Sequence, residues 1–167
     1  MADSFDAFLD GIKLPERSVS LCLRGDLQDA YEDIQRRIDD LPSKWESGSL
    51  SDVNPRIALE RQREEVRDEM AAHEKVFRFR ALPRQQYAEL LVRHQNDRGG
   101  LDPATWPIAL IAACLFEPWT LSEDQVAQLP QRMSDIQFQQ LYDTALACNR
   151  EGVSVPFSRR PSAASPN

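Results

Sequence analysis

The sequence predicts a mainly α-helical domain of the α+β class, with about five to six helices packed around a two-stranded β-ribbon. Three observations carry this. Apolar residues recur at three- and four-residue spacing through much of the 167-residue chain. Two short stretches, Ser18–Leu23 and Lys75–Ala81, alternate instead with a period of two. The chain is 41% hydrophobic and 28% charged, which is enough apolar surface for a core of its own. These features imply one domain over residues 1–152, with an arm at 1–16 and a flexible Pro- and Ser-rich tail or linker at 153–167.

In the arm, Phe5, Phe8 and Leu9 are spaced for one short amphipathic turn, which Pro15 stops. In Ser18–Leu23, Val19, Leu21 and Leu23 share one face while Ser18, Ser20 and Cys22 take the other, the pattern of a half-buried strand. Gly25-Asp26 breaks that strand and offers a helix start. Leu27, Tyr31, Ile34, Ile38 and Leu41 then define an amphipathic helix ending at Pro42. Residues 43–52, with Trp45 and Ser47-Gly48-Ser49, read as an exposed loop. Asn54-Pro55 opens the next helix as N-cap and first helical residue. To about Ala72 this helix is densely charged and leaves only a thin stripe of Leu59, Val66 and Met70. Such a helix is either a solvated surface helix with mixed i,i+4 pairs or a partner-binding helix.

Lys75–Ala81 places Phe77 and Phe79 on one face and Val76, Arg78 and Arg80 on the other. A ribbon made with Ser18–Leu23 would be marginal alone in water, so helices must cover it. Leu82-Pro83 begins a helix with Tyr87, Leu90 and Leu91 inward, ended by the turn-rich Asn96–Gly100. Asp102-Pro103 begins another. Its body, Ala104 to Phe116, is apolar nearly all round and reads as the central buried helix, with Trp106 and Trp119 flanking it in the core. Ser122 caps a short helix to about Leu129. Ser134 caps the last helix, which carries Phe138, Leu141, Tyr142, Ala145 and Leu146 on its apolar side and ends at Gly152.

The composition restricts the chemistry. The net charge is −7, and every one of the 27 acidic residues precedes Gly152. Nucleic-acid binding needs a basic surface, so an acidic body argues against it. Cys22, Cys114 and Cys148 are odd in number and widely spaced, as expected of free thiols in a reducing cytoplasm. His73 and His94 have no ligand-type neighbour at i+3 or i+4, and no phosphate-binding glycine loop or calcium loop occurs. The acidic start lacks the basic region of a signal peptide, and the run Ile108–Phe116 is too short to span a bilayer. The expectation is a protein without catalytic function, cofactor or metal, and without nucleic acid or membrane as partner.

Four stretches together resemble the tail assembly chaperones of tailed, siphovirus-type bacteriophages of actinobacteria. They are Phe5-Asp6-Ala7-Phe8-Leu9 with Arg17–Leu27; Phe77–Tyr87, which contains Phe-Arg-Phe-Arg-Ala-Leu-Pro-Arg; Ser134–Leu141; and Ala145–Arg150 leading into Val153–Ser158. The resemblance implies a host-cytoplasmic protein, absent from the mature virion, that holds the tape measure protein soluble while tail tube subunits assemble around it. It also implies two further partners, the major tail tube protein and a longer form of the chain itself made by programmed frameshifting near the end of the gene. The working surface expected here is Phe138, Leu141 and Tyr142 of the last helix together with Pro156-Phe157. That apolar pair stands in a polar tail, so docking in cis or on a partner would account for it. Ordinary core packing is the alternative for the three helix residues. The alternative function is a small acidic phage or bacterial adaptor or inhibitor that binds a basic surface, which would lose affinity steeply as salt rises.

Overall fold

The computed structural model of the protein describes residues 4–43 and 53–152. Serine 4 caps a short helix α1 (Phe5–Gly11) by accepting a hydrogen bond from Ala7 N. Strands β1 (Glu16–Cys22) and β2 (Glu74–Arg80) pair antiparallel, with Val19 opposite Phe77 and Cys22 opposite Glu74. Two long helices, α2 (Gly25–Asp39) and α3 (Pro55–Ala72), lie between these strands in sequence. After β2 come α4 (Arg84–Arg93), α5 (Trp106–Cys114), β3 (Leu115–Glu117), a four-residue α6 (Glu123–Val126), a 3₁₀ turn at Leu129–Gln131 and α7 (Asp135–Arg150).

Local chemistry explains the helix starts. Asn54 accepts from Arg56 N at 2.9 Å, and Pro55 occupies the first turn, where its missing N–H costs nothing. The helices α6 and α7 each open with a reciprocal capping box, Ser122 with Gln125 and Ser134 with Gln137. Period-two alternation explains the sheet. Leu21, Phe77 and Phe79 are buried on one face, against α5 and α7. On the other face Glu16 bonds both Arg78 and Arg80, and Arg78 also reaches Glu117. Both guanidinium groups lie over the Phe116 ring, at 5.3 and 4.5 Å from its centroid.

Two separate apolar clusters result. The larger joins the sheet to α4, α5, α6 and α7, with Phe79, Leu110, Ile111, Val126 and Leu141 fully enclosed. The smaller lies only between α2 and α3, where Ile34, Ile38 and Leu59 are buried with Leu41 and Val66 beside them. Across this seam Arg63 donates to Gln35 Oε1 at 2.8 Å. The thin stripe on α3 therefore packs on α2.

The mainly α class with a small sheet agrees with the sequence expectation. Three details differ. Among the described residues the sheet has a third strand, order β1-β2-β3, where the sequence reading continues the central helix to Phe116. That run is apolar all round, so it has no period to separate helix from strand, and the pairing of Leu115 with Phe79 decides it. The helix also begins at Trp106 rather than Ala104, because Asp102 Oδ1 accepts from Ala104 N at 2.9 Å and holds a turn there. Finally, Trp119 is not in the core: it is 55% exposed, with the Lys75 ammonium 5.4 Å from its ring. It follows β3 at one edge of the sheet, beyond Glu117, the last residue paired with β2. Trp106 is buried as expected.

Candidate partner-binding surfaces

Helix α7 crosses the buried face of the sheet in the direction opposite to β1. Its N-terminal Gln137 donates to Cys22 O at 3.2 Å, and Glu151 just past its C-terminus pairs with Arg17 at 2.9 Å. This placement turns the predicted working side of α7 inward. Leu141 is fully enclosed, while Phe138 and Tyr142 are half-buried against the main cluster. The Tyr142 hydroxyl accepts from Trp106 Nε1 at 3.1 Å. In this fold the three residues hold α7 to the body. The other two predicted residues, Pro156 and Phe157, lie outside the described residues, as does Trp45.

The exposed apolar side chains are found elsewhere. No residue of α1 is buried. Phe5, Phe8, Leu9 and Ile12 follow i, i+3, i+4, i+7 spacing, so they form one face of the short helix and its exit. Phe5 and Phe8 are 71% and 60% exposed, with their rings stacked 6.2 Å apart. Asp6 and Asp10 lie on the same short helix, which is thus acidic on one side and aromatic on the other. The Phe5-Phe8-Leu9 spacing announces this helix; what it cannot announce is that none of its residues is buried.

A groove lies where α1 leads into the body. Leu14, Pro15, Ala81, Leu82 and Tyr87 line it, and Asn149 to Gly152 form its wall. Asn149 organises this corner: its Oδ1 accepts from Leu82 N at 2.9 Å while its Nδ2 donates to Ala145 O at 2.8 Å. The groove joins residues about seventy positions apart in sequence, and no local pattern reveals it. A second concavity sits at the base of the α2–α3 pair, lined by Cys22, Gln28, Tyr31, Met70 and Glu74.

Reactive groups are held in structural roles. His94 is buried, its Nδ1 3.0 Å from Thr105 Oγ1, and its ring packs beside Trp106. His73 caps the end of α3 at the surface, Nδ1 2.9 Å from Glu69 O. Burial pushes the Cys114 thiol up to about 11, despite the hydrogen bond from Asn149, and raises Cys148 as well. A thiol so shifted is a poor nucleophile at neutral pH. Among the described residues no group of three or more His, Cys, Asp or Glu could hold a metal ion, and no helix is long and apolar enough to cross a membrane. No protein-family model, curated protein or solved structure matches the chain.

Proposed function

We propose that this protein is a phage tail assembly chaperone, which acts by binding and not by catalysis and keeps the tape measure protein soluble in the host cytoplasm during tail assembly. Alongside the sequence resemblance, the observation that carries the reading is α1: a short helix with an apolar face in solvent, tethered to an acidic body. A long amphipathic helix exposes an apolar stripe that aggregates unless covered, and an aromatic turn such as Phe5-Phe8-Leu9 is suited to cover one. The acidic body then keeps the complex in solution. Since Phe138, Leu141 and Tyr142 belong to the core, α1 replaces them as the capture surface.

The test is co-expression of the full chain with the tape measure protein of the same genome. The wild type should keep the tape measure protein in the soluble fraction. The Phe5→Asp/Phe8→Asp variant should fold, since neither ring is buried, yet leave the tape measure protein in the pellet. Equal solubility with wild type, variant or no chain would overturn the reading. Capture that persists in high salt fits an apolar contact, whereas capture lost steeply with salt would favour the acidic-adaptor alternative that the charge of −7 allows. A longer product with the same start, seen by intact mass when the gene is expressed with its native downstream DNA, would support the frameshifted partner.

A further inference from the structure

The groove at the end of α7 has a candidate occupant within the chain itself. We propose that it is the docking site, in cis, for Val155-Pro156-Phe157. The groove encloses about 360 Å³ over an apolar floor of Leu14, Pro15, Leu82 and Tyr87. That floor is held by hydrogen bonds among the described residues. Ala81 N donates to Pro15 O at 2.8 Å, and Asn149 fixes Leu82 from the other side. Preformed apolar concavities of this kind favour an aromatic anchor, because little has to be ordered on binding.

Reach and chemistry select the occupant. Gly152 belongs to the groove wall, so the chain leaves α7 at the groove itself. Backbone advances at most ~3.6 Å per residue, so Phe157, five positions on, stays within roughly 18 Å of Gly152. A tether this short gives an effective concentration on the order of millimolar, which occupies even a weak site. Val153, Val155, Pro156 and Phe157 are the first large apolar residues and proline to follow Gly152 in sequence, and Pro156 restricts itself and Val155 to extended backbone. Arg159 and Arg160, the charged residues past Gly152, lie beyond Phe157, so neither need enter a groove whose rim already carries Arg84 and Arg150. A second copy would offer the same segment without the tether's advantage.

This inference concerns the isolated chain and stands whether or not the chaperone reading does. The experiment compares methyl and aromatic NMR signals of the full-length wild type with Phe157→Ala. The Leu14 and Leu82 methyls and the Tyr87 ring should shift, while the methyls of Leu110 and Ile38, in the two separate cores, stay in place. The wild-type positions should also be unchanged on dilution. Groove signals insensitive to Phe157→Ala would overturn the proposal. So would wild-type signals that drift towards the variant's on dilution, since they would assign the groove to a second copy.

Discussion

The body and the α2–α3 pair bury their apolar residues in different ways. In the body, side chains from both ribbon strands, β3 and four helices converge, so each of Phe79, Leu110 and Leu141 is enclosed by several elements at once. The α2–α3 pair has one seam with three residues buried in it, and each helix packs chiefly on the other. At 15 and 18 residues these helices are about 22 and 27 Å long at ~1.5 Å per residue, yet they are fastened to the body mainly at one end, where Cys22 pairs with Glu74. Most helical stability in proteins comes from tertiary packing, which is sparse here, and exposed ion pairs such as Arg61 with Glu65 add little. Stability should therefore be graded: high and cooperative in the body, low and local in the pair.

The largest expected effect breaks the body. Leu141→Ala should cost about 2–5 kcal/mol, the range for emptying a fully enclosed leucine site. The whole urea transition should move to lower denaturant. This variant also separates two roles for the residue: a docking leucine would lose partner binding with stability intact. An unchanged midpoint would remove Leu141 from the core.

A smaller effect should appear in the seam. Ile38→Ala removes one of the three buried residues there and should cost about 2 kcal/mol, at the low end for such truncations because a two-helix seam can close up. Amide hydrogen exchange should accelerate in α2 and α3 while β2 and α7 keep their protection. Equal acceleration in α7 would show that the two regions unfold as one unit and would refute the graded picture.

The sequence made the seam and the body legible to different degrees, for physical reasons. Elements set by local chemistry were readable. Val19 and Leu21 against Ser18 and Ser20 marked β1, Phe77 and Phe79 marked β2, and Asn54-Pro55, Ser122 and Ser134 marked three helix starts. The stripe of Tyr31, Ile34 and Ile38 announced α2, but not that it would pack chiefly on α3, because a stripe states that a face is covered and not by what. Leu115-Phe116-Glu117 became a strand through pairing with residues some forty positions earlier, a contact outside any local window. The candidate surface divides the same way. The aromatic turn of α1 was visible at once. The amphipathic side of α7 was visible too, but the same pattern serves a docking face and a core face, and the sheet claimed it. The groove that gathers Leu14, Leu82 and Tyr87 had no local signal at all.

The thiols offer the finest probe of the difference, one that changes nothing at neutral pH. Cys114 and Cys148 sit in the body core, whereas Cys22 lies half-exposed where the α2–α3 pair joins the ribbon. A disulfide reagent should therefore modify Cys22 in the native chain and reach the other two only on unfolding. Base should act on the body through its buried thiols. Cys114 rises from 9.0 to about 11 on folding, because burial disfavours the thiolate. Below pH 9 both states keep the proton and the group is neutral to stability. Between pH 9 and about 11 the unfolded chain releases the proton while the folded chain holds it, so unfolding becomes steadily easier. The informative quantity is a difference: Cys114→Ala should show a shallower fall in urea midpoint over that window than the wild type. Parallel curves would mean that Cys114 opens to solvent before the body unfolds, which would place local opening inside the region assigned here as cooperative.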